Sequence, residues 1–242
     1  IILMCPAPRY SLEQQAEMIN QAAVNVIEKS SLLDFKMTAI AKQAGLSVGS
    51  LYKYVQTKED VIMALACDMF EHFHGVATQI YQQPLTMPQK MMSFMLLSPE
   101  KSQKYSFDLD LEILATSEPV LRRSSARWKA QMLAFEDKME SLCQSKTREC
   151  FESGDYLGDD ETEIQQLSVG NWAMSMGFKQ IRNHQGFMNE HCQLGKESVI
   201  CQLSQHSIKA MMHFLNAYPW KHPLTEAGIE ETKNSLQQLG LR

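Results

Sequence analysis

The sequence predicts an all-α protein, and three observations support this fold class. Glycine (11) and proline (8) are scarce among the 242 residues, so a chain with many tight turns between short strands is not expected. Leu, Met, Gln, Glu, Lys and Ala fill most segments, and these residues favour helices. Apolar residues also recur every three or four positions in several long stretches.

Composition and charge limit the possible classes of protein. No run of about eighteen apolar residues occurs, so no membrane span is expected. The start lacks the charged leader of a signal peptide, and the six cysteines are scattered without a CxxC pair, which favours reduced thiols in the cytoplasm. Because the net charge is −5, any binding to DNA must use a local surface.

The first helix and a later, longer one have clear start signals. Ser11 and Gln14 have the spacing of a capping box, which satisfies free backbone donors at a helix start. Thr57 is expected to cap a helix that runs to about residue 81, with Glu59 and Asp60 in its first turn, where negative charge suits the helix dipole.

Further helices are expected beyond residue 86. The sequence breaks at "QQPLTMP", "LSPEKS" and "SEP" separate the helical patterns "MPQKMMSFMLL" and "YSFDLDLEILATS". Longer helical patterns follow at 119–153, 161–183, 197–217 and 224–239.

Two short helices, at 38–44 and 48–55, have the pattern of a helix-turn-helix. Gly45 can adopt the unusual backbone conformation of the turn, and Ser47 can cap the second helix. Leu51 and Val55 lie four residues apart and are expected to face the core. The second helix would then be free on its other side to enter a major groove.

The opposite side of this second helix has the composition of a DNA-reading face. Gly49 and Lys53 lie about half a turn from the inward residues and are flanked by Ser50 and Tyr52. Small residues let the backbone approach base edges, while Lys53 can reach a phosphate or a guanine.

The segment 39–60 resembles the DNA-binding domain of the tetracycline-repressor (TetR) family, whose pattern runs roughly "IA..AGvs.gtlY.yF.sKe.L". The positions that match in register are Ile40-Ala41, Ala44-Gly45, Ser47, Gly49, Leu51-Tyr52, Tyr54 and Lys58-Glu59, with Ser50 where the family often has Thr. The resemblance covers roughly residues 14–65. Val55 replaces the usual aromatic residue, which we interpret as a harmless change in the core.

The resemblance implies which side chains would contact an operator. The residues that would face the bases are Thr38, Val48, Gly49, Ser50, Tyr52 and Lys53. Tyr54 and Lys58 would each bind a phosphate. Lys36 stands where the family usually caps the second helix with Ser or Thr, so this helix start is less secure, although its cation could contact phosphate.

The charge of the first sixty residues is balanced. They contain six cations, Arg9, Lys29, Lys36, Lys42, Lys53 and Lys58, and six anions, Glu13, Glu17, Glu28, Asp34, Glu59 and Asp60. The net charge of zero predicts only modest non-specific affinity for DNA.

The resemblance also implies two domains and a homodimer. A helix-turn-helix domain would occupy residues 1–56, and a larger helical ligand-binding and dimerisation domain would occupy 57–242. The last long helices would pair two subunits, because one short recognition helix reads too few bases to be specific. The candidate interface residues form two stripes, Ile164, Leu167, Asn171, Met174 and Phe178, and Val199, Leu203, Ala210 and Phe214. Either stripe could equally be core within one subunit.

The middle helices could contain an adaptable apolar pocket. Its candidate lining is Met91, Met95, Trp128, Met132, Phe135, Trp172 and Met176. These residues could equally be ordinary core packing. If a pocket exists, its lining suits a small hydrophobic or amphipathic molecule.

Catalytic and metal-binding patterns are missing from the sequence. There is no GxSxG and no glycine-rich phosphate loop. Glu71 and His74 have a Glu-x-x-His spacing, but the second pair that a di-metal site needs is absent. We expect no enzyme activity, no metal and no cofactor.

Together these features predict a one-component transcription regulator, most simply a repressor. It would bind a palindromic operator as a dimer and be released by a small-molecule effector, with the helix that starts at Thr57 as the lever between its two halves. A second hypothesis is an adaptor that uses DNA binding to localise a protein partner and has no effector. A third is a helical ligand-binding protein or enzyme with a decayed helix-turn-helix.

Overall fold

The computed structural model describes residues 10–191 and 203–242, and within these ranges the secondary structure is helical apart from an isolated bridge between Tyr156 and Trp220. The helices are α1 (Leu12–Lys29), α2 (Met37–Gln43), α3 (Val48–Tyr54), α4 (Lys58–Tyr81), α5 (Met87–Leu96), α6 (Pro99–Ser102), α7 (Asp108–Ala115), α8 (Glu118–Arg123), α9 (Ala126–Ser153), α10 (Glu161–His191), α11 (Leu203–Asn216) and α12 (Glu226–Gln238). The predicted all-α class is confirmed. No helix in the described ranges is long and apolar enough to span a membrane.

The helix starts follow the predicted capping residues. Ser11 and Gln14 form both hydrogen bonds of a capping box. Ser47 accepts a hydrogen bond from the backbone N–H of Ser50 at 3.0 Å, and Thr57 accepts one from the N–H of Asp60 at 3.0 Å. Each bond satisfies a donor that has no partner within its own helix.

Two predicted helices differ in extent from the observed ones. The helix expected over 119–153 is divided between α8 and α9, because Ser124 and Ser125 are not helical. The helix expected to end at residue 183 continues to His191. No proline interrupts the sequence between these two positions, so local signals did not require the helix to stop.

The described residues form two compact units. Unit 1 comprises residues 10–71 and 104–135, and unit 2 comprises 72–103, 136–191 and 203–242. Helices α4 and α9 each begin in unit 1 and end in unit 2. The predicted boundary therefore marks the start of α4, whereas the compact unit that contains α1 to α3 also includes α7, α8 and the start of α9.

The core of unit 1 explains why this second segment belongs to it. Ile19 of α1, Phe35 of the segment before α2 and Ile40 of α2 are at most 1% exposed. Leu111 of α7 and Trp128 of α9 are buried in the same apolar cluster. Three short helices bury little apolar surface by themselves, so the extra helices complete the core.

Unit 2 has a separate core rich in methionine. It contains Met87, Met91, Met92, Met95, Ile164, Leu167, Met211, Leu215, Trp220, Leu224, Ile229 and Leu236. Helix α12 packs on α5, and Gln89 of α5 donates hydrogen bonds to the carbonyl of Gly228 at 3.1 Å and to the carboxylate of Glu231 at 2.8 Å. The last described helix is thus held on α5 by both apolar and polar contacts.

Candidate DNA-binding surface

The turn between α2 and α3 is closed by backbone hydrogen bonds. Gly45 has φ +65°, a left-handed conformation that side-chain-bearing residues rarely adopt. The N–H of Gly45 bonds to the carbonyl of Lys42 at 3.2 Å, and the N–H of Leu46 bonds to the carbonyl of Ala41 at 3.0 Å. The chain can then reverse direction within three residues and restart as α3.

The inner side of α3 is fixed by complete burial. Leu51 and Val55 are each 0% exposed, and they join Ile40 of α2 in the core of unit 1. The orientation of α3 about its axis is therefore determined, and its opposite side faces solvent.

That opposite side presents the residues predicted to read DNA. Val48 is 41% exposed and Tyr52 is 45% exposed, and both Gly49 and Lys53 are exposed. The Ser50 hydroxyl lies 2.9 Å from that of Ser47. Exposure of an aromatic ring and a valine on a helix of seven residues leaves apolar surface that a partner can cover.

Packing within the chain does not require a glycine at position 49. A Cβ at this position would meet only the Ser47 hydroxyl oxygen, at 3.8 Å, which is ordinary contact. A helix interior normally favours alanine over glycine. The missing side chain leaves the backbone of α3 open to close approach from outside, as contact with base edges requires.

Tyr54 is held differently from Tyr52. Its ring packs edge-on against Trp128, with centroids 5.3 Å apart, and the Arg127 guanidinium lies 5.1 Å from the ring centroid. Burial raises the pKa of the phenol, while a hydrogen bond with Asn20 and the charge of Arg127 act in the opposite direction. The phenol is thus positioned by α1 and α9, at the end of the recognition helix.

Three further predicted DNA-binding residues are exposed around this face. Lys36 precedes α2 and provides no side-chain cap, and Thr38 lies in the first turn of that helix. Lys58 is the first residue of α4, and its ammonium lies 5.0 Å from the centroid of the Phe35 ring. The predicted set therefore comes from α2, α3 and the start of α4, all within unit 1.

The predicted pocket residues are divided between the two units. Trp128, Met132 and Phe135 belong to unit 1, where Phe135 stacks on Phe70 with ring centroids 4.8 Å apart. Met91 and Met95 are buried in unit 2.

Trp172 of the same predicted set is 63% exposed, so it does not line an enclosed site in this chain. Two hollows in the described ranges are open surface grooves of about 380 and 400 Å³, one against α1 and α2 and the other between α11 and α12.

The predicted dimer stripes also need correction. Ile164 and Leu167 are 1% and 0% exposed, so they are core of unit 2 and cannot meet a second subunit. Asn171 is buried on the same face of α10. Met174 and Phe178 pack against this core, as does Phe214 of α11.

The remaining dimer candidates lie on or near α11. Ala210 is exposed, and Leu203 is the first residue of α11. Val199 lies outside the described residues.

The exposed apolar residues of α10 lie on its other side. Val169 and Trp172 are three residues apart and each is 63% exposed, and Met176 follows with partial exposure. Residues three and four apart share one face of a helix. The sequence contained a signal for these exposed residues, because apolar residues recur on two sides of α10. Periodicity alone does not show which side faces the core.

The Glu-x-x-His spacing noted in the sequence is not part of a larger group of ligands in the described residues. Glu71 and His74 are not joined by a third potential ligand, since no cluster of three His, Cys, Asp or Glu side chains suited to a metal occurs in the part of the chain that the structure describes.

The short α2, the left-handed glycine turn and the one-sided exposure of α3 define the class of protein: a helix-turn-helix DNA-binding protein. Residues 19–65 match the family model of bacterial regulatory proteins, tetR family. The chain thus carries the amino-terminal domain of tetR-family regulators, and the resemblance inferred from residues 39–60 is confirmed. No curated protein matches the chain significantly by sequence.

Solved structures extend the likeness of fold beyond this domain. A TetR transcription regulator from Haloarcula marismortui is 15% identical with a TM-score of 0.54, covering 86% of this chain and 99% of its own. The regulator FadR from Bacillus subtilis, in complex with stearoyl-CoA, is 17% identical with a TM-score of 0.52, covering 81% of this chain and 96% of its own. RolR in complex with resorcinol is 13% identical with a TM-score of 0.52, covering 92% of this chain and 93% of its own. At these identities the likeness concerns the fold, which is that of TetR-type transcription regulators.

Proposed function

We propose that this protein is a one-component transcription repressor that binds a palindromic operator as a homodimer and leaves it when a small hydrophobic or amphipathic effector binds. The observation that carries the proposal is the exposed face of α3. Its inner side is fully buried, and its outer side presents Val48, Gly49, Tyr52 and Lys53 to solvent. A seven-residue helix with this orientation fits a major groove.

The homodimer follows from the small size of this reading face. One such helix contacts only a few base pairs, and a symmetric pair doubles the site. Val169 and Trp172 supply an exposed apolar stripe on α10 that a second subunit can cover. Aromatic residues are enriched at the buried centres of protein interfaces.

The inner face of α10 supports the effector. The Oδ1 atom of Asn171 and the Oγ atom of Ser175 are buried without a hydrogen-bond partner, and the two residues are four positions apart on one helix face. A buried polar atom without a partner costs free energy, and a bound group that hydrogen-bonds to both atoms would remove this cost. We assign Asn171 and Ser175 as polar contacts of the effector, beside the apolar Leu167 on the same face.

The adaptor hypothesis has its own supporting observation. Met91 and Met95, which were expected to line a pocket, are packed in the core of unit 2, and the two hollows are open grooves. A protein partner, unlike a small molecule, needs no enclosed cavity.

DNA binding is tested with duplexes selected from a randomised pool by the parent protein. We expect Tyr52→Ala and Lys53→Ala each to weaken binding by about 1–3 kcal/mol, since each removes a contact at the reading face. Lys29→Ala, an exposed lysine at the end of α1, is the matched control and should bind like the parent. If both variants at the reading face bind as tightly as this control, the assigned face is wrong.

Effector binding is tested with stearoyl-CoA and resorcinol, the ligands of FadR and RolR, as first probes beside a panel of amphipathic molecules. A ligand that raises the melting temperature of the parent and lowers its DNA affinity should do neither with Asn171→Leu/Ser175→Ala. The double variant should be at least as stable as the parent without ligand, because it removes two orphan polar atoms. A panel with no effect on DNA affinity, together with capture of a partner protein by DNA-bound protein, would favour the adaptor.

A further inference from the structure

A basic segment lies beside the reading face, outside the three helices of the helix-turn-helix. It consists of Arg122, Arg123, Arg127 and Lys129, and residues 119–135 contain no acidic residue. The first sixty residues, in contrast, have six cations and six anions. The segment is therefore a local excess of positive charge in a chain whose net charge is −5.

Three contacts fix this segment against the recognition helix and the start of α4. Arg127 stacks on Tyr54, the last residue of α3, at 5.1 Å. Arg123 pairs with Glu59, in the first turn of α4, at 3.2 Å. Between these arginines, the backbone N–H of Ser125 donates to the buried Asp60 carboxylate at 2.7 Å. All of these residues belong to unit 1.

The contacts place the cations next to both predicted phosphate-binding positions. Tyr54 is one of these positions, and Lys58 immediately precedes the Glu59 that Arg123 neutralises. The Lys129 ammonium donates to the carbonyl of Arg122 at 3.2 Å, which draws it towards the other cations at the corner between α8 and α9. Arg122 also pairs with Glu118 at 3.5 Å, on an exposed surface where such a pair is weak.

The helix dipole accounts for only two of the four cations in the basic segment. Arg122 and Arg123 lie in the last turn of α8, where cations suit the helix dipole. Arg127 and Lys129 lie at the start of α9, where the dipole disfavours cations. The charges of Arg127 and Lys129 therefore disfavour the start of α9, so helix stability does not explain their presence.

The geometry of Arg127 suits a phosphate. The guanidinium carbon of Arg127 lies 5.1 Å from the centroid of the Tyr54 ring and 4.9 Å from that of the Trp128 ring, and the two rings meet edge-on. The side chain is exposed, and the N–H groups of a guanidinium can form paired hydrogen bonds to phosphate oxygens. The two ring contacts restrict the side chain, so less freedom is lost on binding.

We propose that the basic segment is a second DNA-contacting surface, with Arg127 as its central residue, which binds phosphates flanking the bases read by α3. The inference rests on the proposed function, because it assumes that α3 occupies a major groove. In this arrangement α3 supplies sequence preference, and the basic segment supplies much of the electrostatic affinity that the charge-balanced amino-terminal helices lack.

The test compares the salt dependence of DNA binding between variants of the full-length chain. Binding of a selected operator duplex is measured between about 50 and 200 mM salt, and the slope of log K against log[salt] reports the number of phosphates neutralised, at about 0.9 per contact. Arg127→Gln should reduce the magnitude of the slope by about 2 in a dimer, since each subunit loses one contact. Arg122→Gln/Arg127→Gln/Lys129→Gln should reduce it further.

Matched variants separate this effect from altered folding. Arg148→Gln removes an exposed cation near the other end of α9 and should keep the slope of the parent. Arg127→Lys retains the charge and should recover most of the slope. Shortening the duplex on both sides of the half-sites should abolish the difference between Arg127→Gln and the parent, because the flanking phosphates are then absent.

The outcomes distinguish this inference from the proposed function. If the parent prefers its selected duplex and Lys53→Ala weakens it, while Arg127→Gln and the triple variant keep the slope of the parent, the second surface does not exist and the proposed function stands. If the parent shows no sequence preference, or binds no DNA, the proposed function fails and this inference fails with it. A reduced slope on long duplexes only, at unchanged sequence preference, supports the inference.

Discussion

The carboxylate of Asp60 accepts a 2.7 Å hydrogen bond from the backbone N–H of Ser125, although the two residues are 65 positions apart in the sequence. Its other oxygen accepts a hydrogen bond from the N–H of Gln56 at 2.9 Å. Asp60 is 0% exposed. One buried side chain thus joins the turn after the recognition helix to the start of α9, and the position of α9 against α3 depends on it.

We therefore expect Asp60→Asn to lower the free energy of unfolding by about 1–3 kcal/mol. The amide oxygen can accept only one of the two hydrogen bonds, and the amide nitrogen that replaces the other oxygen cannot accept, so a backbone N–H loses its partner. Urea unfolding followed by circular dichroism measures the change. Asp110→Asn is the matched control: Asp110 is exposed on α7, and its replacement should change stability by less than about 0.5 kcal/mol. Equal stabilities for the two variants would contradict the assigned role of Asp60.

Two glycines should respond to alanine in opposite directions. Gly45 has φ +65°, where an alanine costs about 1–2 kcal/mol, so Gly45→Ala should destabilise the protein. Gly75 lies within α4, and a Cβ there would meet nothing within 4 Å, so Gly75→Ala should stabilise it by up to about 1 kcal/mol. Thermal unfolding of both variants beside the parent measures the signs, and a stabilising Gly45→Ala would show that the turn is wrongly described.

The oligomeric state should depend on the outer face of α10. Trp172→Glu places a charge in the proposed interface and should convert the dimer to a monomer, because an unpaired carboxylate is costly to bury. Leu157→Glu is the control, since Leu157 has the same 63% exposure but does not lie on α10. Light scattering after size-exclusion chromatography gives the mass, and a Trp172→Glu protein that remains dimeric would exclude this face as the interface.

Two thiols should contribute to a decrease of stability in alkali. Burial raises the pKa of the Cys67 thiol from 9.0 to about 11, and the charge of Asp68 adds to this rise. Burial also raises the pKa of the Cys150 thiol to about 11, with a smaller contribution from the charge of Asp155. From about pH 9 the unfolded chain releases these protons while the folded chain retains them until about pH 11. The unfolded state then binds fewer protons, so the free energy of unfolding falls as pH rises through this window.

Urea unfolding at pH 8, 9, 10 and 11 measures this decrease. A Cys67→Ala/Cys150→Ala variant provides the comparison, and it should lose less stability than the parent over the same interval. Both thiols should also resist alkylation at pH 8 until urea is added. Identical decreases in variant and parent would show that other groups are responsible.

The local structure of the amino-terminal region was predictable from the sequence because each signal acts within a few residues. The capping serines satisfy N–H groups three positions away, and Gly45 supplies the turn by itself. The inward position of Leu51 and Val55 follows from helical spacing alone. The residues of the DNA-reading face were predictable for the same reason, because they occupy the side of α3 opposite its buried residues.

Helix α10 shows why the other sites could not be assigned in this way. It has apolar residues on two sides: Ile164 and Leu167 are buried, whereas Val169 and Trp172 are exposed. Helical periodicity finds both stripes, but the choice of the buried one depends on where α5 and α11 pack. The interface prediction therefore included buried residues, and the pocket prediction included the exposed Trp172.

The sequence by itself determined the fold class, the helix-turn-helix and the orientation of α3, because caps, turns and helical spacing are short-range effects. Only the tertiary structure decided that residues 104–135 complete the unit around α3, and that Arg127 stacks on Tyr54 and Ser125 bonds to Asp60. Such contacts join residues far apart in the chain, and they form only because the packing of the unit 1 core brings those residues within a few ångströms.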